Sequence, residues 1–146
     1  DHTLAMIVLP MLKQLQATKH GSPNVDDEDV PEELKSTSAP AKENEYETDE
    51  NHFKRWDWVL NEMIFAFNCK LDDSWEKEFR SGEHELIWTP VDKDGNVVPK
   101  GEHKHFKMSH GPNDTYKCDY EGMKVVETRI QNGFRLFGKY YQALWD

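Results

Sequence analysis

Two aromatic-rich segments, residues 51–70 and 120–146, constrain the fold of this chain more than any other feature of its sequence. In each segment apolar residues recur at steps of three and four, which places them on one face of a helix. The later stripe is Met123, Val126, Ile130, Phe134, Phe137, Tyr141 and Leu144, and the earlier one is Phe53, Trp56, Leu60, Met63 or Ile64, and Phe67. Because such stripes are stable only when buried, we expect these two helices to pack against each other.

Another helix is predicted at the start of the sequence. Asp1 or Thr3 can cap it, and the apolar spacing continues to about Thr18. Its expected buried positions are Leu4, Ile7, Val8, Met11, Leu12 and Leu15. Pro10 lies inside this helix. Because proline has no backbone N–H to donate, we expect either a kink there or a break, with Pro10 beginning a new first turn.

The negative charge of the chain comes almost entirely from one segment. The formal net charge is −10 at pH 7, and residues 20–50 alone hold eleven acidic side chains and two lysines, a net of −9. The rest of the chain is nearly neutral, with 16 basic and 17 acidic residues. This distribution argues against nucleic-acid binding, which needs a positive surface, and favours a partner protein with a basic surface.

Residues 24–47 form what we call the acidic strap. The strap has few apolar residues and no period, so it would be disordered alone, or would lie on the body as an irregular segment. We favour the second arrangement, with Val25, Val30, Leu34 and Tyr46 as the contact points. The residues expected to contact a partner are Asp26, Asp27, Glu28, Asp29, Glu32 and Glu33.

The middle of the chain changes from helical to strand periodicity. A short helix is expected over residues 72–79, and strands over 86–91, 105–108 and 115–118. Asp94 and Gly95 predict a tight turn into a return strand at residues 96–98. The fold class is therefore α+β: three main helices packed with a small antiparallel β-meander, plus the long acidic strap, in a single domain over residues 1–146.

A few histidines are the best metal-binding candidates in the sequence. His103, His105 and His110 are close in sequence, with His84 and Cys118 nearby, and imidazole and thiolate are usual zinc ligands. The spacing matches no standard metal site. Surface histidines among lysines explain the same residues, so no metal or cofactor is assigned.

Asp49 and His52 form a second candidate group at the start of the helix predicted over residues 51–70. A carboxylate three residues before a histidine can orient the ring for general-base catalysis, or can join it in a bundle metal site. Helix capping and a surface ion pair explain the pair equally well. No nucleophile elbow, glycine-rich phosphate loop or HExxH sequence is present, so the common enzyme patterns are absent.

Two features of the sequence indicate the environment of the protein: its cysteines and its longest apolar run. Cys69 and Cys118 are the only cysteines and form no CxxC pair, which favours two ordinary thiols in a reducing compartment, although a disulfide between them stays open. The run from Leu4 to Leu12 is interrupted by Pro10. It is also much shorter than the about 20 residues of a membrane span.

Segments over nearly the whole chain resemble a family of uncharacterised proteins from tailed bacteriophages. The segments that carry the resemblance are DHTLAMIVLPMLKQL, KHGSPNVDDEDVPEEL, DENHFKRWDWVLNEMIFAF and NGFRLFGKYYQALWD. The resemblance assigns no activity. It implies a protein of the host bacterial cytoplasm or of the virion, a virion or host-interaction role, and a further segment before Asp1.

Three functions fit these observations. The first is a non-enzymatic phage protein whose acidic strap and helical face contact another protein. The second is a metal-dependent enzyme acting on nucleic acid or nucleotides through Asp49, His52 and the histidines near His105. The third is a DNA mimic whose strap carboxylates imitate phosphates. Charge segregation and the missing enzyme patterns favour the first.

Overall fold

The computed structural model describes residues 1–101 and 105–145, and these residues form two compact units. The first unit comprises residues 1–75 and 123–146, and the second comprises residues 76–122. Three α-helices and two small antiparallel sheets confirm the predicted α+β class.

Helix α1 spans His2–Thr18 and begins at the predicted cap. The Asp1 carboxylate accepts a hydrogen bond from the backbone N–H of His2 at 2.6 Å. The helix continues through Pro10 to its predicted end, so the break considered for this position does not occur. Among the described residues, no helix combines the length and the apolar content that a membrane span requires.

Helix α2 spans His52–Leu71 and contributes more buried apolar residues to the first unit than any other described element. Asn51 occupies the N-cap position, so Asp49 does not cap this helix. Asp49 instead accepts a hydrogen bond from the Asn51 N–H at 2.9 Å, in the loop before the helix. Phe53 of the predicted stripe is largely exposed. The most deeply buried side chains of the helix are Trp56, Val59, Leu60, Met63 and Ala66.

Helix α1 packs against α2 through a different face from the predicted one. Its buried residues are Ala5, Leu9 and Leu12, whereas Leu4, Ile7 and Met11 are more than half exposed. The prediction failed because residues 4–12 are all apolar, so that their spacing marks no single side. An antiparallel orientation follows from three polar contacts: Lys19 with Asp57 at 2.6 Å, Gln16 with Asn61 at 2.8 Å, and Lys70 with Asp1 at 2.5 Å.

Helix α3 spans Tyr120–Lys139, and its second half packs against α2. The ring of Phe67 meets those of Phe134 and Phe137 edge-on, with centroids 5.1 Å apart in both pairs. Beyond the end of the helix, Tyr140 meets Trp56 in the same way at 5.9 Å. The predicted packing of the two aromatic stripes is therefore confirmed.

The closest approach of α2 and α3 is at Gly133. This glycine is buried, and a Cβ atom added to it would meet the backbone oxygen of Glu62 and, at 2.6 Å, the Cβ of Ala66. Neither atom can move without its helix. Beside this contact, Arg129 donates to the buried Glu62 carboxylate at 2.9 and 2.7 Å, so Arg129 pairs with α2.

The second unit is built from four antiparallel strands: β1 (Arg80–Ser81), β2 (Leu86–Val91), β3 (His105–His110) and β4 (Lys117–Cys118). Strand β1 pairs with β4, and β2 pairs with β3 from Leu86 opposite His110 to Val91 opposite His105. The expected strands at 86–91 and 105–108 are confirmed. The return strand expected at residues 96–98 reduces to one bridge, between Val97 and Val91.

Two further details of this region differ from the prediction. The short helix expected over residues 72–79 is a 3-10 helix over Asp73–Phe79, and β1 follows it directly. The predicted tight turn is present, with Gly95 at φ +86°, a backbone conformation that favours glycine. Residues directly opposite each other in the β2–β3 pair share a face, and successive residues alternate, so His105 and His110 point to opposite faces.

Candidate functional site

The acidic strap lies on the first unit as an irregular segment, as predicted. Val25 and Val30 are buried in the core, and Leu34 packs against it. Three short 3-10 turns, Asp27–Asp29, Glu32–Leu34 and Ser36–Ser38, shape the chain between these points. Tyr46 is 93% exposed, so the expectation that it also pins the strap is wrong.

Polar residues at the start of α2 hold the middle of the strap by its backbone. The side-chain amide of Asn51 donates to the carbonyl oxygens of Glu33 and Lys35, at 3.2 and 3.4 Å. The guanidinium of Arg55 donates to the carbonyl of Leu34 at 3.1 Å and to both carboxylate oxygens of Asp49 at 2.9 and 2.7 Å. The hydrogen bonds from Arg55 hold the pKa of Asp49 below its ordinary value. Asp49 is thus committed to a structural ion pair.

Asp29 is the most deeply buried carboxylate of the strap, with 4% of its surface exposed. It contacts Arg135 at 2.6 Å, Lys139 at 2.5 Å and the hydroxyl of Tyr140 at 2.6 Å. Burial alone would raise the pKa of Asp29, but hydrogen bonds from Lys139, Tyr140 and Arg135 outweigh it and leave the pKa below its ordinary value. A buried charge is tolerated when it is paired in this way.

Lys139 neutralises the first part of the strap. Its ammonium group lies 2.8 Å from Asp26, 3.2 Å from Glu28 and 2.5 Å from Asp29. Hydrogen bonds to these carboxylates, above all to Asp26, raise the pKa of Lys139. The three carboxylates lie close enough together to hold a metal ion, but the lysine already supplies the cation there.

Tyr140 links the strap to the core, and its replacement by phenylalanine tests this link. Its hydroxyl donates to Asp29 and accepts the backbone N–H of Asp26 at 3.0 Å, so we expect Tyr140→Phe to cost about 1–2 kcal/mol in the free energy of unfolding at pH 7. Burial, and then Asp29, raise the pKa of Tyr140 from 10.0 to about 12. Denaturant unfolding at several pH values measures both effects.

The sign of the pH effect follows from the raised pKa of this phenol. Between pH 10 and about 12, Tyr140 keeps its phenol proton in the folded state and loses it in the unfolded state. The contribution of this hydroxyl to the free energy of unfolding is therefore complete below pH 10 and falls as the pH rises. The wild type should therefore approach Tyr140→Phe in stability above pH 10. A constant difference up to pH 11.5 would contradict this account of the hydroxyl.

Residues 43–47, at the end of the strap, form what we call the acidic tip. A turn closed by hydrogen bonds from the Tyr46 and Glu47 N–H groups to Asn44 shapes it, at 3.0 and 3.1 Å. Lys42 donates to the backbone oxygens of Glu45 and Glu47, at 3.3 and 3.1 Å. Over residues 1–101 and 105–145 no salt bridge reaches the side chains of the tip, which stay exposed around Tyr46.

The histidine candidates occupy separate places in the structure. His52 is buried at the start of α2, edge-on to Phe53 with ring centroids 5.2 Å apart. His105 and His110 lie at opposite ends and on opposite faces of β3, so they do not form one site. His103 lies outside the described residues.

His110 instead meets His84 and Asp114. The Nδ1 atom of His110 lies 2.8 Å from an Asp114 carboxylate oxygen, and that of His84 lies 3.5 Å from the same oxygen. The hydrogen bond from His110 is the main reason why the pKa of Asp114 is lowered to about 2. The sequence interpretation missed Asp114. Its signal was the four-residue spacing across the turn that begins at His110.

No family model, curated protein or solved structure matches this chain. The function proposed below therefore follows from the geometry of the strap and of the exposed helix face.

Proposed function

We propose that this protein is a non-enzymatic bacteriophage protein that binds a partner protein with a basic surface through its acidic strap. One observation carries the proposal: the aromatic ring of Tyr46 is 93% exposed within a tip whose carboxylates have no cationic partner among the described residues. The sequence resemblance to tailed-bacteriophage proteins supports a place in the host bacterial cytoplasm or in the virion.

The strap carboxylates divide into two groups with different roles in this proposal. Asp26, Glu28 and Asp29 are neutralised by Lys139 and hold the strap, and Asp27 accepts hydrogen bonds from Ser36 at 2.8 and 2.5 Å. Glu32 pairs with a neighbour in the strap, and Glu33 is exposed. Within residues 1–101 and 105–145, no salt bridge involves the carboxylates of Glu33, Glu43, Glu45 and Glu47, so we assign the partner contact to these four groups.

An exposed tyrosine among carboxylates has the chemistry of a protein-binding site. Tyrosine is enriched among the residues that dominate binding energy, because its large ring loses little conformational freedom when it is buried. Carboxylates around it speed the encounter with a basic surface and disfavour acidic partners. The partner that fits has a pocket for the Tyr46 phenol ring and a rim of Lys and Arg.

The exposed face of α1 supports a second, apolar contact with the partner. Leu4, Ile7 and Met11 lie three and four residues apart and are each more than half exposed. Large side chains exposed on one face are typical of interaction surfaces, where methionine is enriched.

Affinity capture from a bacterial lysate tests the proposal, with the recovered proteins quantified by mass spectrometry. We expect wild-type protein to retain a basic partner, and expect Tyr46→Ala, or glutamine at Glu43, Glu45 and Glu47 together, to lower its recovery at least about ten-fold. Retention should also weaken as salt is raised, because exposed charges are screened.

The matched control places glutamine at Glu78, Glu121 and Glu127, which are exposed and lie outside the strap. This variant has the same net charge as the tip variant and should capture the partner as the wild type does. If the tip variant and Tyr46→Ala both recover as much partner as the control variant and the wild type do, the strap is not the contact surface.

A further inference from the structure

The cluster of His84, His110 and Asp114 lies in the second unit, where the chain passes between the two strand pairs. It is independent of the strap and of the function proposed for the strap. Nitrogen atoms of both rings face one oxygen of Asp114, at 3.5 and 2.8 Å, and one ligand-type atom from each side chain lies within 4.8 Å of the others.

The backbone around the cluster is fixed by hydrogen bonds between its two segments. Gly111 donates to the carbonyl of Glu85 at 2.7 Å, and Thr115 donates to that of Glu83 at 3.0 Å. The turn itself is closed by the N–H of Asp114, which donates to the carbonyl of Gly111 at 3.2 Å. The two histidines therefore come from segments that are held together on both sides of the cluster.

Neighbouring groups also fix the orientation of two of the side chains. Asp114, with 9% of its side chain exposed, accepts the N–H of Tyr116 at 3.1 Å through one oxygen and that of Glu85 at 3.3 Å through the other. The ring of His84 stacks on that of Tyr116, with centroids 3.7 Å apart. The Glu85 carboxylate is itself held by the N–H of Asn113 at 2.6 Å, so it stabilises the turn.

We propose that His84, His110 and Asp114 bind a divalent transition-metal ion of the zinc class. Two imidazole nitrogens and one carboxylate oxygen are a common ligand set for such ions, which bind these atoms at about 2.0–2.2 Å. Around a tetrahedral ion, ligand atoms at those bond lengths lie about 3.3–3.6 Å apart. The 3.5 Å separation between His84 and the Asp114 oxygen falls within this range, and the 2.8 Å separation of His110 is shorter, so the exposed His110 ring has to move back by about half an ångström to admit the ion.

Three protein ligands leave the remaining coordination positions of the ion to water. The side chains of His84 and His110 are 45% and 64% exposed, so water, or a donor group of another molecule, can reach the ion. Imidazole ligands select zinc-class ions over calcium and magnesium, which prefer oxygen. The competing arrangement is a metal-free group in which protonated rings donate to Asp114, and it predicts that added metal is ignored.

Titration of the full, untagged chain with Zn²⁺ after chelator treatment tests the site, by calorimetry at pH 7.5. We expect one ion per chain, and at least about ten-fold weaker binding for His110→Phe and for His84→Phe. Phenylalanine is chosen at position 84 because it keeps an aromatic ring against Tyr116. Binding should also weaken at pH 5.5, because protons compete for the imidazoles. Far-UV circular dichroism checks that each variant is folded.

His105→Phe is the matched control, because His105 lies on the same strand as His110 but on its opposite face. This variant should bind Zn²⁺ as the wild type does. Co²⁺ in place of Zn²⁺ should give a visible spectrum without a thiolate charge-transfer band. Absence of binding, equal binding by all three histidine variants, or a thiolate band would each overturn the proposal.

Discussion

Replacing Gly133 with alanine is expected to lower the free energy of unfolding by about 3 kcal/mol, as overpacking against a rigid neighbour does. The added Cβ would meet the backbone oxygen of Glu62 and the Cβ of Ala66, so α2 and α3 would have to move apart. That movement would loosen the ring contacts of Phe67 with Phe134 and Phe137. Urea unfolding measures the change, with an accompanying fall in Tm of about 9 °C.

Gly138→Ala is the matched control for this prediction. Gly138 lies in the same helix, and no atom lies within 4 Å of an added Cβ. Since alanine favours helix more than glycine does, this variant should be unchanged or more stable by about 0.5 kcal/mol. If the two alanine variants unfold at the same urea concentration, the close crossing at Gly133 is not present.

Replacing Asp29 with asparagine is expected to cost about 3 kcal/mol at pH 7, because its buried carboxylate accepts hydrogen bonds from three donors and a hydrogen bond to a charged group contributes about 1.5–3 kcal/mol. The amide cannot accept hydrogen bonds from Arg135, Lys139 and Tyr140 as the carboxylate does. With the strap loosened, cleavage by a protease within residues 30–47 should become faster. Urea unfolding and limited proteolysis measure the two effects.

The pH dependence gives this prediction a second test. The pKa of Asp29 in the folded state lies below 3.8, so its contribution is complete above about pH 4 and is lost as the pH falls through the folded value. The difference in stability between the wild type and Asp29→Asn should therefore shrink progressively as the pH falls below about 4. Glu28→Gln is the control: this exposed group also contacts Lys139, but its removal should cost less than about 1 kcal/mol at pH 7. A loss equal to that of Asp29→Asn would show that burial is not what makes Asp29 important.

The helices could be predicted from the sequence because their apolar residues recur at a helical period. The face that each helix buries could be predicted only where polar residues separate the apolar ones. Lysine, arginine and asparagine separate the apolar residues of α2 and α3, so the positions that pack together were mostly correct. In α1 the residues from Leu4 to Leu12 are all apolar, and packing against α2 selected the side that carries the small Ala5. Periodicity contains no information about that choice.

The strap was visible in the sequence through its charge, but its main attachment was not. Tyr140, which binds Asp29 together with Arg135, was missed, and Tyr141 was placed in the buried stripe instead. Helix α3 ends at Lys139 and a 3-10 helix follows, so the apolar period changes phase there. Tyr140 consequently points inward and Tyr141 is exposed.

The remaining site residues could not be predicted because they depend on strand register. The histidines near residue 105 are close in sequence, but the alternation of β3 separates His105 from His110. His84 reaches His110 only because β2 pairs with β3 from Leu86 opposite His110 onward. Sequence spacing within one segment does not report which residue of another segment lies opposite.

Fastening of the strap by α3 also affects how the protein can fold during its synthesis. Asp29 is synthesised 111 residues before Tyr140. Its carboxylate therefore has no hydrogen bond from Tyr140 until the intervening residues have been made. Contacts between such distant residues slow folding, because a long loop must be closed before they form. Nascent chains that stop before Arg135 would lack all three donors to Asp29, so only Val25, Val30 and the start of α2 would hold the strap.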